Sequence, residues 1–514
     1  MTRDNARASG SLRLVAARVR FLVLLAAAGA GCGPDPEVRT LRITTYAPPS
    51  TLDPHHHTET AVSAMLCNIY DGLVAMSPTM GIEPALAMSW EQTGATRLRF
   101  ELRPGVRFHN GAPFGAGDVV ANWQRTLRDP RCRIRHYLNG ITDIRADGTL
   151  GVIVETANPI PDLLARLAFF FIVPVADTEL VEITEPVGTG AYRWSGPADG
   201  GGVDLTAWRG WRGQPNIARV VFLPIADDRL RLERLLQGRA DVCLRLPDDQ
   251  VAEVRSTAGL RVELQPRLTV QLVSVCPEAA TGRTRAALAD PRVRRALLLA
   301  SDRATMVRKV MRGNATVAAQ YVHPAVYGYD PTLEQAPFDA AEARRLLREA
   351  GFAGGFPVEL GYSSGVADVA AALAGDLAGV GIAVTPLELS FPELMRRGRA
   401  HELPLALNSW ACVTGDAADF FDPLVHSRNE RLGVGLENYS GYANPHVDAI
   451  LERASRESDR DRRLAYLQAA QRRVLEDLPI LPLAFRWWFI GFSDRVEIVV
   501  RHDTWLRVVD YSWR

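Results

Sequence analysis

The run that most resembles reactive chemistry is Gly361-Tyr362-Ser363-Ser364-Gly365, a match to the G-x-S-x-G pattern of a nucleophilic serine. It falls between an expected strand and an expected helix, the setting such a serine needs. The other roles are unfilled: no His-Gly-Gly-Gly-like segment offers an oxyanion site, and no downstream histidine stands out as the base, so a secreted hydrolase trails as a reading. His55-His56-His57 invites a metal. Consecutive residues on an extended segment point to alternating faces, so one ion cannot take all three without a turn, and an exposed polar loop is expected. After Cys32 come Cys67, Cys132, Cys243, Cys276 and Cys412, an odd and sparse set with no Cys-x-x-Cys pair and no Cys/His zinc spacing. Most read as buried small hydrophobes. Neither a metal nor a cofactor is called for.

The rest of the composition bounds what such residues can serve. At 514 residues the prior is roughly three domains. Apolar residues make up 47% and charged residues 23%, the balance of a water-soluble globular chain rather than a disordered or multispanning one. Basic and acidic residues tie at 59 each, so no positive excess exists to neutralise a nucleic-acid backbone, and nucleic acid is not an expected partner.

At the N-terminus, Arg3, Arg7, Arg13, Arg18 and Arg20 face only Asp4, and the apolar run Phe21 to Ala30 then leads to Gly31-Cys32. That order is an export signal, and its apolar run is half the ~20 residues needed to span a bilayer. Residues 25–32 resemble a bacterial lipoprotein signal, which implies that Cys32 becomes the lipidated first residue of the mature chain; an ordinary signal cut beside an incidental cysteine is the alternative. Removing residues 1–31 takes away five arginines and one aspartate, leaving a net charge of −4. Residues 32–37, with Gly33, Pro34 and Pro36, read as a non-helical tether.

Along the body, no sustained repeat or long low-complexity tract suggests a solenoid. Leu41 to Tyr46 reads as a strand broken by Pro48-Pro49, and Ala61 to Tyr70 carries helical spacing that ends near Asp71-Gly72. Leu98 to Leu102 and Val106 to Phe108, flanking Arg103-Pro104-Gly105, read as strand, turn, strand. Asp290-Pro291 supplies an N-cap and an N1 proline for a helix burying Val293, Ala296, Leu297 and Ala300. Asp339 caps another, which Gly351 is placed to end. Phe356 to Tyr362, Ala367 to Ala378 and Ile382 to Leu387 read as strand, helix, strand, a connection that makes the two strands parallel.

Several phrases together resemble the family-5 extracellular solute-binding proteins of ABC importers, the oligopeptide-, dipeptide- and nickel-binding group. They are Leu52-Asp53-Pro54, Asn68 to Val74, Pro84 to Glu91, Phe100 to Gly111 with Pro113-Phe114 and Asp118 to Val120, and Gly188-Thr189-Gly190-Ala191-Tyr192-Arg193. Leu236 to Asp241, Asp290 to Leu297 with Ser301-Asp302-Arg303, Ala350-Gly351-Phe352, Tyr442 to Asp448 and Leu478 to Leu483 continue the order over nearly all the mature chain.

The resemblance implies an α/β fold of the periplasmic-binding-protein type (class II, cluster C): two lobes clamping a ligand, with an extra inserted N-terminal domain. By analogy the first lobe comprises residues 38–76, 187–275 and 485–514, the inserted domain 77–186, and the second lobe 276–484. It implies a monomer in the periplasm or cell envelope, held to the membrane by the lipid on Cys32. This protein would capture a peptide or other small molecule and pass it to an ABC permease and ATPase; a sensor or scaffold built on the same fold is the alternative.

The cleft would draw on Thr45 and Tyr46, on Trp410, Thr414, Asp416 and Asp419 in the segment 410–419, and on Asn438, Tyr439 and Tyr442. The aromatics suit either a ligand site or a core. Peptide-binding members carry an aspartate for the peptide ammonium three residues after the tryptophan matched by Trp410; Val413 stands there, and Asp416 or Asp419 would substitute only if the loop shifts. His109 reads as structural, and Cys276 with Cys412 is the pair most open to oxidation.

Overall fold

The computed structural model describes residues 39–514. The expected signal, Cys32 and the tether through residue 37 lie outside the described residues.

Three sheets organise the chain. The first has seven strands in the order Leu260–Gln265, Trp488–Ser493, Val242–Leu246, Thr40–Thr45, Arg219–Pro224, Gly202–Ala207 and Tyr192–Ala198. Thr40–Thr45 runs parallel to both its neighbours, with Ile43 opposite Phe222 on one side and Val242 on the other. The second has six, in the order Ala315–Val317, Ile480–Arg486, Thr269–Val275, Leu405–Ala411, Pro357–Ser363 and Ala383–Leu389. All seven residues of Thr269–Val275 are buried, as a strand covered on both faces requires. Four antiparallel strands, Ala87–Gly94, Arg97–Leu102, Gly151–Thr156 and Ile141–Ala146, form the third, within the inserted segment.

The chain crosses from the first sheet to the second at 266–268 and returns at Trp487. The first crossing lies earlier than the expected boundary after 275, because Thr269–Val275 pairs with Leu405–Ala411 and Ile480–Arg486 and with no strand of the first sheet. The return lies two residues later than expected, since the strand through Arg486 stays in the second sheet.

Local expectations fare unevenly. Asp290 and Asp339 cap the helices Pro291–Ala300 and Ala340–Glu349, each accepting a hydrogen bond from a first-turn N–H. Pro357–Ser363 and Ala383–Leu389 are parallel, joined by the helix Ala367–Ala378. Val106 to Phe108 is not a strand: Arg107 makes one isolated bridge to Pro113, and Arg97–Leu102 pairs instead with Ala87–Gly94 and Gly151–Thr156. The helix after the first strand is also shorter than its spacing suggests, ending at Leu66.

A single apolar cluster unites the first sheet with the inserted segment, joining Leu41, Ile43 and Phe222 to Phe100, Trp123 and Val152. The second sheet has its own clusters on either face, with Val273 and Val275 in one and Val270 and Leu272 in the other.

The three histidines do not form the exposed loop expected of them. His55 and His57 are buried, and His55 helps tie this union together. Arg125 of the helix Ala116–Arg128 makes a bidentate pair with Asp53 at 2.9 and 2.5 Å and donates to His55 Nδ1 at 3.0 Å, while His55 Nε2 donates to the Phe171 carbonyl at 2.9 Å. Burial opposes the charge on Asp53, but Arg125 outweighs it and holds the carboxyl below its usual range. Burial, with Arg125 adding to it, pushes His55 down to about 4, and burial does the same to His57. His109 is bound on both ring nitrogens, at 3.0 Å to the Gly190 carbonyl and 3.3 Å to the Gly188 N–H, the structural role expected.

Candidate functional site

Strand Thr40–Thr45 ends where Pro48-Pro49 forbids further pairing, beside the carboxyl ends of Arg219–Pro224 and Val242–Leu246. Carboxyl ends of parallel strands are where open α/β sheets bind ligands. A cavity of about 70 Å³ lies there, and Tyr46, Arg245, Gln265, Arg267 and Trp488 are among its walls. Gln265, Arg267 and Trp488 belong to the two crossings between sheets or their immediate flanks, so the cavity sits beside those crossings.

Its aromatic and cationic groups interlock. Tyr46 and Trp488 meet edge to face at 6.1 Å and 65°. The Arg267 guanidinium carbon lies 3.7 Å from the Trp488 ring centroid, and that of Arg245 lies 5.0 Å from Tyr46 and 5.4 Å from Trp488. Arg245 has φ of +52°, a left-handed conformation that costs a non-glycine residue roughly 1–2 kcal/mol and is often kept at functional sites. Burial, and then repulsion from Arg245, pushes Arg267 down to about 10, so it stays charged at neutral pH. Thr45 Oγ1 donates to the Ala47 carbonyl at 3.1 Å, shaping the turn that presents Tyr46.

Of the expected cleft residues, Thr45 and Tyr46 line this cavity. The segment 410–419 of the second lobe is folded upon itself. Trp410 Nε1 donates to the Asp419 carbonyl at 2.6 Å, and its ring packs on the core beneath the second sheet. The Thr414 N–H and hydroxyl both donate to Asp419 Oδ2, at 3.1 and 3.3 Å. Asp416, the expected anchor for a cationic group, has both oxygens taken by Arg463, at 2.5 and 2.9 Å, and accepts the Ala418 N–H at 2.9 Å. That buried pair already neutralises its charge. Val413 packs against the apolar cluster of the first sheet.

This segment faces the inserted domain. A cavity of about 600 Å³ separates them, walled by Thr414, Asp416 and Arg463 on one side and Trp90, Arg97 and Asp162 on the other. Burial raises Asp419 to about 7 and Asp422 to about 6, with Asp162 adding to both shifts and Arg166 opposing them.

Asn438, Tyr439 and Tyr442 line neither cavity. The Asn438 amide donates to the carbonyls of His426 and Tyr442 at 3.1 and 2.8 Å, Tyr439 donates to Glu437 at 2.8 Å, and Tyr442 donates to Asp477 at 2.6 Å. They lock a loop together through these bonds.

Ser363 ends the strand Pro357–Ser363, and among the described residues no histidine hydrogen-bonds to it. Cys276 and Cys412 are buried free thiols rather than a bridged pair. Burial pushes Cys412 well above its ordinary range.

Arg245, Arg267 and Trp488 escape a reading of the sequence alone. The signal available was position: each lies at or next to a strand end that the topology gathers at one edge.

Two mixed α/β sheet bodies joined by two crossings, with a recess at the strand ends beside them, define a two-lobed binding fold. The chain belongs to the bacterial extracellular solute-binding proteins, family 5, whose model matches residues 81–431. It is 28% identical over 509 residues to di/tripeptide-binding protein 2 of Pseudomonas aeruginosa, covering 91% of this chain and 93% of that protein. It is 25% identical to heme-binding protein A of Haemophilus influenzae, covering 85% of each, and 27% identical to the glutathione-binding protein GsiB of Escherichia coli K12, covering 84% and 86%. Among solved structures, HbpA2 of Haemophilus parasuis superposes with a TM-score of 0.81 at 22% identity, covering 93% of this chain and all of that one. DppA of Helicobacter pylori, solved with the peptide STSA, gives 0.78 at 22%, covering 92% and 98%. At these identities the structures speak for the fold alone.

Proposed function

We propose that this protein is the substrate-binding component of an ABC importer, which captures a peptide or peptide-like solute between its lobes and delivers it to the permease and ATPase. The observation that carries the reading is the Tyr46–Trp488 cavity, set at the ends of parallel strands of the first sheet and beside both inter-sheet crossings, with Arg267 of one crossing in its wall. A solute seated on this first-lobe wall that also meets the second lobe favours the closed clamp by its differential affinity for closed over open, and a near-complete switch takes about 5.5 kcal/mol. Relatives named for di/tripeptides and glutathione support the solute class. The working unit is a periplasmic monomer, divided into lobes 39–76 with 187–265 and 488–514, and 269–486, with 77–186 inserted. It is anchored through a lipid on Cys32, and its work is binding without catalysis.

The test is small-angle scattering with and without a panel of di- and tripeptides, alongside thermal melting. A solute that raises the melting temperature and contracts the particle is expected. A panel that changes neither overturns the proposal. Labelling of cells with a fatty-acid analogue, lost in Cys32→Ala, checks the anchor.

A further inference from the structure

We propose that the first-lobe wall of this cavity receives a carboxylate, so that the transported solute is recognised by an acid group rather than by its ammonium. The inference rests on the importer reading and adds the solute's charge to it.

Three guanidiniums gather at the hinge edge: Arg245, Arg267 and Arg486. Among the described residues Arg486 alone of the three forms an ion pair, with Asp248 at 3.7 Å. Among the described residues the guanidiniums of Arg245 and Arg267 have no hydrogen-bond or ion-pair partner. Both instead rest on aromatic faces.

The half-buried Arg267 guanidinium is costly without a counter-ion, and a chain that needs only packing there is better served by an apolar side chain; Arg245 is exposed and adds its charge from the rim. The arrangement acquires a purpose if an anion completes it. Stacking on Trp488 occupies the flat face of Arg267 and leaves its in-plane N–H edge open, and that edge matches a carboxylate bidentately. The left-handed backbone at Arg245 brings a second guanidinium to the same recess, where Tyr46 and Trp488 add apolar contact for the carbon chain beside the acid group.

The opposite lobe is consistent with this division of labour. Val413 offers no charge, and Asp416 is neutralised by Arg463, so no free carboxylate of that pair awaits an ammonium.

Calorimetry and thermal melting on the full chain with four probes decide the matter: Ala-Glu, its N-acetyl derivative, Ala-Ala and Ala-Ala amide. The acid-bearing probes are expected to bind, N-acetylation is expected to be tolerated, and the amide is expected to fail. Ala-Glu against Ala-Ala separates a side-chain acid from the terminal carboxylate as its source. Arg245→Asn with Arg267→Gln is expected to weaken the acidic probes by about tenfold or more, the loss typical of charged hydrogen bonds, with Arg267→Lys intermediate. Circular dichroism spectra matching the parent confirm that each variant is folded.

Binding of the amide as tightly as of the acids, or acidic binding undiminished in the folded double variant, overturns the carboxylate assignment while leaving the importer reading intact. If no probe of any charge binds and mass spectrometry finds no small molecule released from the native protein, the importer reading falls, and the inference with it.

Discussion

The bidentate pair between Asp416 and Arg463 turns a question about ligand recognition into one about stability. Asp416→Ala leaves the Arg463 guanidinium, whose side chain is 5% exposed, without its partner in the interior. Breaking a buried pair in this way costs about 3–5 kcal/mol, because the surviving charge stays desolvated. If the second lobe of roughly 200 residues melts as its own unit, its unfolding entropy is about 0.4 kcal/mol/K, so the loss lowers its melting temperature by about 7–12 °C. Differential scanning calorimetry resolves such a shift. Replacing both partners, Asp416→Leu with Arg463→Met, removes both desolvation penalties and is expected to recover most of the stability. Ligand affinity is expected to change little in either variant. An unchanged melting temperature in Asp416→Ala combined with abolished binding of the solute would refute the reasoning and restore Asp416 as a ligand anchor.

Trp488→Ala removes the platform on which Arg267 rests and is expected to weaken solute binding by about tenfold or more by calorimetry, whereas Tyr442→Phe, at a residue that does not line the cavity, is expected to leave affinity unchanged. Because the folded pKa values of His55 and His57 are depressed to about 4 from 6.5, their contribution is present above pH 6.5 and is lost as pH falls through 4. Melting temperature should therefore fall over that window, and His57→Leu should make the decline shallower. Asp419 has the opposite sign: its folded pKa, raised to about 7, makes its contribution full below 3.8 and lost as pH rises through 7. Asp419→Asn is expected to melt higher than the parent at pH 8 by about 1–4 kcal/mol of added stability, with the advantage shrinking by pH 5.

The parts of this molecule that can be read from its sequence are those fixed by local chemistry. Asp290 and Asp339 announce their helices because a carboxylate before an apolar face caps the first turn whatever lies beyond. Gly188 and Gly190 stand in a recognisable phrase for a packing reason: a Cβ on either would meet backbone atoms of Asn68 and Ile69 at 2.7 Å or less. What stayed hidden depends on partners distant in sequence. Asp416 reads as a free acid until Arg463, 47 residues later, is placed against it. His55 reads as part of a polar loop until Arg125 and the Phe171 carbonyl close around it. The cavity wall combines positions 46, 245, 267 and 488, and no periodicity links residues that only the folding of the first sheet brings together.

The apolar cluster shared by the first sheet and the inserted domain bears on how this chain can be instrumented. Fluorophores at exposed Val181 and Leu230 would report one rigid mass, and the distance between them should stay constant on adding solute. Moving one dye to exposed Phe391 places it across the crossings at 266–268 and 487, where the separation is expected to change on adding solute, which would make the chain a biosensor.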